Sequence, residues 1–187
     1  MSSEPAMGSE LVFLEFPDFL PPAIHRQVLD SAAQQAAQFR ETGVPGVRVL
    51  PSLNGAGKLV VDRIANLLPE VGVRFGLALH SGSRIDAPVA AIGHGGRLEI
   101  AAMGSKRRVS GISCLFTFFE SPRRFTGGAV TIENPDNRDV RVTLPTANGR
   151  MVFAAGCDDL EIGRVQSNSP DFRNSLFVML ATIRHAA

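Results

Sequence analysis

Apolar positions recur at helical spacing in the first third of the chain and in alternation or short runs after it. Ile24, Val28, Ala32, Ala36 and Phe39 lie three or four apart. Pro22 suits a first turn, and Gly43 and Pro45 stop the pattern, which predicts a helix over residues 22–39. Residues 11–16 precede it as a short strand, joined by a Pro- and Asp-bearing turn. Residues 41–57 carry Pro45-Gly46 and Asn54-Gly55 and read as a loop. Val60, Ile64, Leu67 and Leu68 then share one side of a second helix over 59–68, with Pro69 ending it or opening a further turn ahead of Phe75.

From Arg84 onward the spacing becomes that of strands. They are predicted at 84–92, 97–103, 109–120, 129–133, 140–144, 150–154, 160–166 and 175–184. Between them lie Gly95-Gly96, Ser121-Pro122, Gly127-Gly128, Asn134-Pro135-Asp136-Asn137, Asn148-Gly149 and Ser169-Pro170. Helices first and short strands after imply one α+β domain over residues 11–187, with the helices on one face of a jelly-roll-like core. Residues 1–10 form a flexible polar N-terminus.

Composition narrows the function classes. In 187 residues, 44% are hydrophobic and 20% charged, enough to bury a core. Lys and Arg number 19 against 18 acids, a net charge of +1 that argues against nucleic acid as a partner. No apolar run reaches the ~18 residues of a membrane helix. The start of the chain lacks the basic and apolar stretches of a secretory signal, and Cys114 and Cys157 make no disulfide framework, so a cytoplasmic protein is expected. Trp and Tyr are absent while Phe occurs 12 times.

An ordered set of motifs carries a family resemblance. It comprises the helical entry Phe19-Leu20-Pro21-Pro22-Ala23-Ile24-His25, then Arg84-Ile85-Asp86, Gly93-His94-Gly95-Gly96, and the strand over 112–119. Phe125-Thr126-Gly127-Gly128-Ala129-Val130, Gly149-Arg150-Met151-Val152-Phe153 and Leu176-Phe177-Val178 complete it. In that order the chain resembles the prolyl-4-hydroxylase-like branch of the Fe(II)/2-oxoglutarate dioxygenases over roughly residues 16–184. The resemblance implies a double-stranded β-helix (jelly-roll) with supporting N-terminal helices, and Fe(II) and 2-oxoglutarate as the family's cofactors.

Such enzymes place two His and one carboxylate on one face of the iron. The family's His-x-Asp corresponds to Ala101 and Met103, its distal His to Leu160, and the basic anchor of 2-oxoglutarate to the Ser175-Leu176 start of the last strand, with Leu176 at the anchor position. A one-residue slip in register restores no ligand pair. The resemblance therefore implies a kept fold and a lost iron site, with no cofactor expected. The expected function is that of a catalytically degenerate protein serving as a non-catalytic binding or structural subunit. Its partner would be another protein, an active homologue or a small apolar ligand held in the emptied pocket, with no membrane involved.

Two enzymatic readings stand beside this one. An iron-independent enzyme could use Glu99 and Asp158, which the alignment points toward the pocket, as a carboxylate pair with one raised pKa; the plainer reading is solvation or pairing with Arg97, Arg150 or Arg164. A working oxygenase could instead use relocated ligands, with His80, His94 and Asp86 or Glu99 as the set. His25 and His185 lie far from a central pocket. Cys114 alternates with Ile112, Phe116 and Phe118 as core, and the acids beside Cys157 argue against a nucleophile. Gly55-Ala56-Gly57-Lys58 is a weak match to a phosphate loop. Lys106-Arg107-Arg108 and Arg123-Arg124 read as solvated turns, and Phe116, Phe118, Phe119 and Phe125 as core.

Overall fold

Strand alternation decides the architecture, because the central strands are apolar on both faces and must be covered twice. The computed structural model describes residues 13–99, 112–133, 139–155 and 160–184. Its elements run β1 (Phe13–Phe16), α1 (Pro22–Gln34), β2 (Arg40–Glu41), β3 (Val47–Leu50), α2 (Ala56–Phe75), β4 (Arg84–Asp86), β5 (Val89–Ile92) and β6 (Leu98–Glu99). They continue with β7 (Ile112–Phe118), β8 (Phe125–Gly127), β9 (Val130–Glu133), β10 (Arg141–Leu144), β11 (Arg150–Ala155), β12 (Leu160–Ile162), β13 (Val165–Ser167) and β14 (Leu176–Arg184).

Among the described residues, the large sheet has the order β1-β11-β7-β14-β5-β3-β2, with β4 paired to the far part of β14. The small sheet runs β10-β9-β12-β6, and β13-β8 form a two-stranded continuation. The pairings are antiparallel, and the small sheet faces the large one as in a double-stranded β-helix. Leu176, Val178 and Leu180 of β14 point between the sheets, while Phe177, Met179, Ala181 and Ile183 point to the helices. On β7, Leu115 faces the small sheet, and Ile112, Cys114, Phe116 and Phe118 face the helices. The expected α+β class and the helix-covered jelly roll are observed.

Several elements differ from the sequence reading. α1 ends at Gln34, and a 3-10 turn at Ala36–Gln38 carries the chain to Phe39, whose extended backbone leads into β2. Residues 41–57 are not all loop: Val47 and Leu50 bury themselves as β3 pairs with β5. α2 passes through Pro69 and runs to Phe75. Pro69 lies on the exposed side, while Leu68, Val71 and Gly72 around it are buried and hold the helix on the sheet. Gly76, at φ 67°, then ends it in the left-handed conformation. The predicted strand 84–92 is broken at Ala87-Pro88, and 160–166 at Gly163-Arg164. None of the helices among the described residues is long and apolar enough to cross a membrane.

Candidate functional site

The resemblance places chemistry between the sheets, at the ends of β6, β12 and β14. β12 is short and alternates Leu160 in, Glu161 out, Ile162 in, and its neighbours keep the same phase. Leu160 is 2% exposed and pairs with Ile132, inside a cluster that includes Leu98, Val130, Ile132 and Ile162. Leu176 is fully buried in the same cluster, beside Leu115, Val165 and Val178. Both positions that the resemblance assigns to polar groups of the family thus hold aliphatic side chains packed into the inter-sheet core. Neither carries a lone pair to give a metal or a charge to give a carboxylate.

Ala101, Met103, Asp158, Cys157, His185 and Lys106-Arg107-Arg108 lie outside the described residues. Among the described residues, no group of three or more His, Cys, Asp or Glu side chains converges as a metal site. His80 is exposed between α2 and β4. His94 lies in the β5–β6 turn, where its Nδ1 accepts from Ser167 N–H at 3.2 Å. Asp86 accepts from Arg84 Nε at 3.2 Å. With Glu99, these described residues do not converge on one point that a metal ion could occupy.

Glu99 stands on the outer face of the small sheet and not in the pocket, because Leu98 takes the inward position. Its carboxylate pairs with Arg97, and Glu161 lies opposite it across β6 and β12. Thr131 and Thr143 continue this outer polar row, their hydroxyls 3.2 Å apart.

Among the described residues, the inward polar groups are few and tied to the frame. Thr117, buried on β7, donates to Ala147 O at 2.7 Å. Arg150 sits on the same strand face as Val152. Its Nε is 2.7 Å from Glu15 Oε1, at an angle too bent for a hydrogen bond, and its Nη1 donates to Pro145 O at 2.6 Å. Glu15 comes from β1, so this ion pair closes the sheet edge.

The basic residue nearest the start of β14 is Arg173. It turns outward, 3.0 Å from Asp30 and 3.8 Å from Glu120, and Arg26 joins the same carboxylates at 3.5 and 2.7 Å. His25, on α1, bonds Asn148 Oδ1 at 2.9 Å, and Asn148 also bridges the backbone N–H and C=O of Phe119. Burial holds the His25 pKa below the ordinary imidazole value, against the opposing pull of the Asn148 bond and the Glu120 charge. Cys114 is buried, and desolvation pushes its thiol well up, which suits core and not nucleophile. Lys58 pairs with Asp62 at 2.9 Å. Arg123 lies over the Phe125 ring.

In the sequence, Arg97 and Arg164 stand out only as partners for acids. The fold brings them to one cleft with Val44, Pro45, Gly95 and Glu99. The glycines around 93–96 were the available signal, since they let three chain segments approach closely.

No protein-family model and no curated protein matches the sequence. Solved structures do match in fold. A prolyl-4-hydroxylase from Pseudomonas putida superposes with a TM-score of 0.69 and 12% identity, over 95% of this chain and 94% of that one. A prolyl hydroxylase from Trichoplax adhaerens, solved with a hypoxia inducible factor peptide fragment, gives 0.68 and 13%, over 92% and 83%. An oxidoreductase of the 2OG-Fe(II) oxygenase family from Burkholderia pseudomallei gives 0.59 and 13%, over 92% and 84%. The chain therefore has the double-stranded β-helix fold of the prolyl hydroxylases and 2OG-Fe(II) oxygenases, as its motif order led one to expect.

Proposed function

We propose that this protein has the dioxygenase fold without the dioxygenase chemistry, and acts as a non-catalytic binding or structural subunit. The observation that carries this reading is the burial of Leu160 and Leu176 in the inter-sheet core, at the positions that the sequence resemblance assigns to the distal His and the 2-oxoglutarate anchor. Ala101 and Met103, in place of the His and Asp, run the same way in the sequence. An interior that holds no cation favours this set, because each unpaired buried polar group costs about 1–3 kcal/mol. The outward turn of Glu99 removes one member of the carboxylate pair on which an iron-independent enzyme would depend.

The test is thermal unfolding under anaerobic conditions, with Fe(II) present and 2-oxoglutarate or succinate added. A native-state ligand at a hundredfold excess over its Kd stabilises by about 2.7 kcal/mol, or roughly 5–10 °C for a chain of this size. The expected result is no shift with either acid. A clear rise with 2-oxoglutarate and not with succinate would overturn the proposal in favour of a working oxygenase with relocated ligands.

A further inference from the structure

Outside the inter-sheet core, three chain segments meet at a cleft of about 370 Å³, lined by Val44, Pro45, Gly95, Arg97, Glu99 and Arg164. Its floor is rigid. Gly93 N–H donates to Gly46 O, Gly95 N–H to Val165 O, and Val165 N–H to Gly96 O, each at 2.8 Å. A Cβ on Gly46 would lie 2.7 Å from His94 O, and one on Gly96 would lie 2.7 Å from Gly46 O, so only glycine allows this approach. Thr42 Oγ1 fixes the adjoining turn, donating toward Val47 O at 3.0 Å and accepting from Val44 N–H at 3.1 Å.

Among the described lining residues the charge is two guanidiniums against one carboxylate. Arg97 pairs with Glu99 and lies 3.7 Å from Glu161. Among the described residues, no carboxylate pairs with Arg164. The cleft therefore joins an apolar side of Val44, Pro45 and Gly95 to a planar cation that has no carboxylate partner among the described residues. A volume of this size falls at the lower end of small-molecule sites. A guanidinium binds a carboxylate through two parallel hydrogen bonds.

We infer that this cleft binds a small monoanionic carboxylate with an apolar body, the carboxylate on Arg164 and the body against Val44 and Pro45. The site is separate from the inter-sheet positions and does not depend on the iron question.

The test uses 4-isopropylbenzoate as the probe, with the neutral 4-isopropylbenzamide and inorganic phosphate as controls. Binding is followed by amide chemical shifts and by titration calorimetry on the full chain. Saturable shifts with the benzoate should centre on Val44, Gly95, Arg97 and Arg164. The amide should bind about tenfold more weakly, for loss of the charge-assisted pair, and phosphate should produce no shifts there. Arg164→Ala, an exposed position, should cost about tenfold, with Arg164→Lys between the two. Glu99→Gln should tighten binding several-fold, because it removes one negative charge from the lining. Equal binding of amide and benzoate, affinity unchanged in Arg164→Ala, weaker binding in Glu99→Gln, or phosphate alone binding would each overturn the assignment.

Discussion

The two faces of the large sheet are both dry, yet they are filled differently. On the helix face nine of the twelve phenylalanines gather, namely Phe16, Phe19, Phe39, Phe75, Phe116, Phe118, Phe153, Phe172 and Phe177. Phe116, Phe118 and Phe177 form a stack with ring centroids 5.3 Å apart. On the inter-sheet face the filling is Val, Ile, Leu and Ala, with only Phe119 and Phe125 in the buried cluster and Phe13 packed against it. Two round helices on a twisted sheet leave deep spaces that rings fill, whereas two facing sheets interdigitate short branched side chains. The second face is the one on which the resemblance expects polar ligands. Among the described residues it is nearly as apolar as the first, which is the structural content of the proposal.

Substitutions can test how alike the two faces are. The largest effect is expected for Phe177→Ala, which removes a ring that contacts Phe118, Phe39 and Phe172 and should cost about 3–5 kcal/mol in urea unfolding. Next comes Leu160→His on the other face. If that face is core, an imidazole placed against Leu98 and Ile132 should cost about 2–4 kcal/mol and confer no metal affinity. Unchanged stability with a gain in Fe(II) binding would mean that the space beside Leu160 is an open pocket, and the comparison would fail.

How much of this was legible in the sequence follows from which signals were local. The helical spacing of α1, the alternation in β7 and β14 and the turn dipeptides are written in neighbouring residues, and they led to the fold class. β3 was missed because Val47–Leu50 is a short run beside Pro and Gly, and becomes a strand only by pairing with β5. α2 continues past Pro69 because burial of Leu68 and Val71 outweighs one missing hydrogen bond on the solvent side. The orientation of Glu99 depends on the phase of a two-residue strand, which Leu98 decides by entering the core. The Arg97–Arg164 cleft joins residues 67 positions apart, and no local pattern announces it.

Two smaller effects sharpen the account of the polar groups. Thr117→Val leaves the Ala147 carbonyl without its 2.7 Å partner on the inter-sheet face and should cost about 1 kcal/mol in chemical denaturation. The smallest effect concerns His25. Its folded pKa lies below the unfolded value near 6.5, so the folded state favours the neutral ring. That contribution is fully present above pH 6.5 and is lost as the pH falls below it toward the folded pKa. The unfolding free energy should therefore decline on acidification through this window, and His25→Gln should flatten the decline; an unchanged slope would remove His25 as its source.

The central claim concerns the space between the sheets, and iron stoichiometry tests it most directly. After anaerobic loading with Fe(II) and removal of unbound metal, the account predicts well under one equivalent of iron per chain. One full equivalent, lost on substitution of His80 or His94, would contradict it.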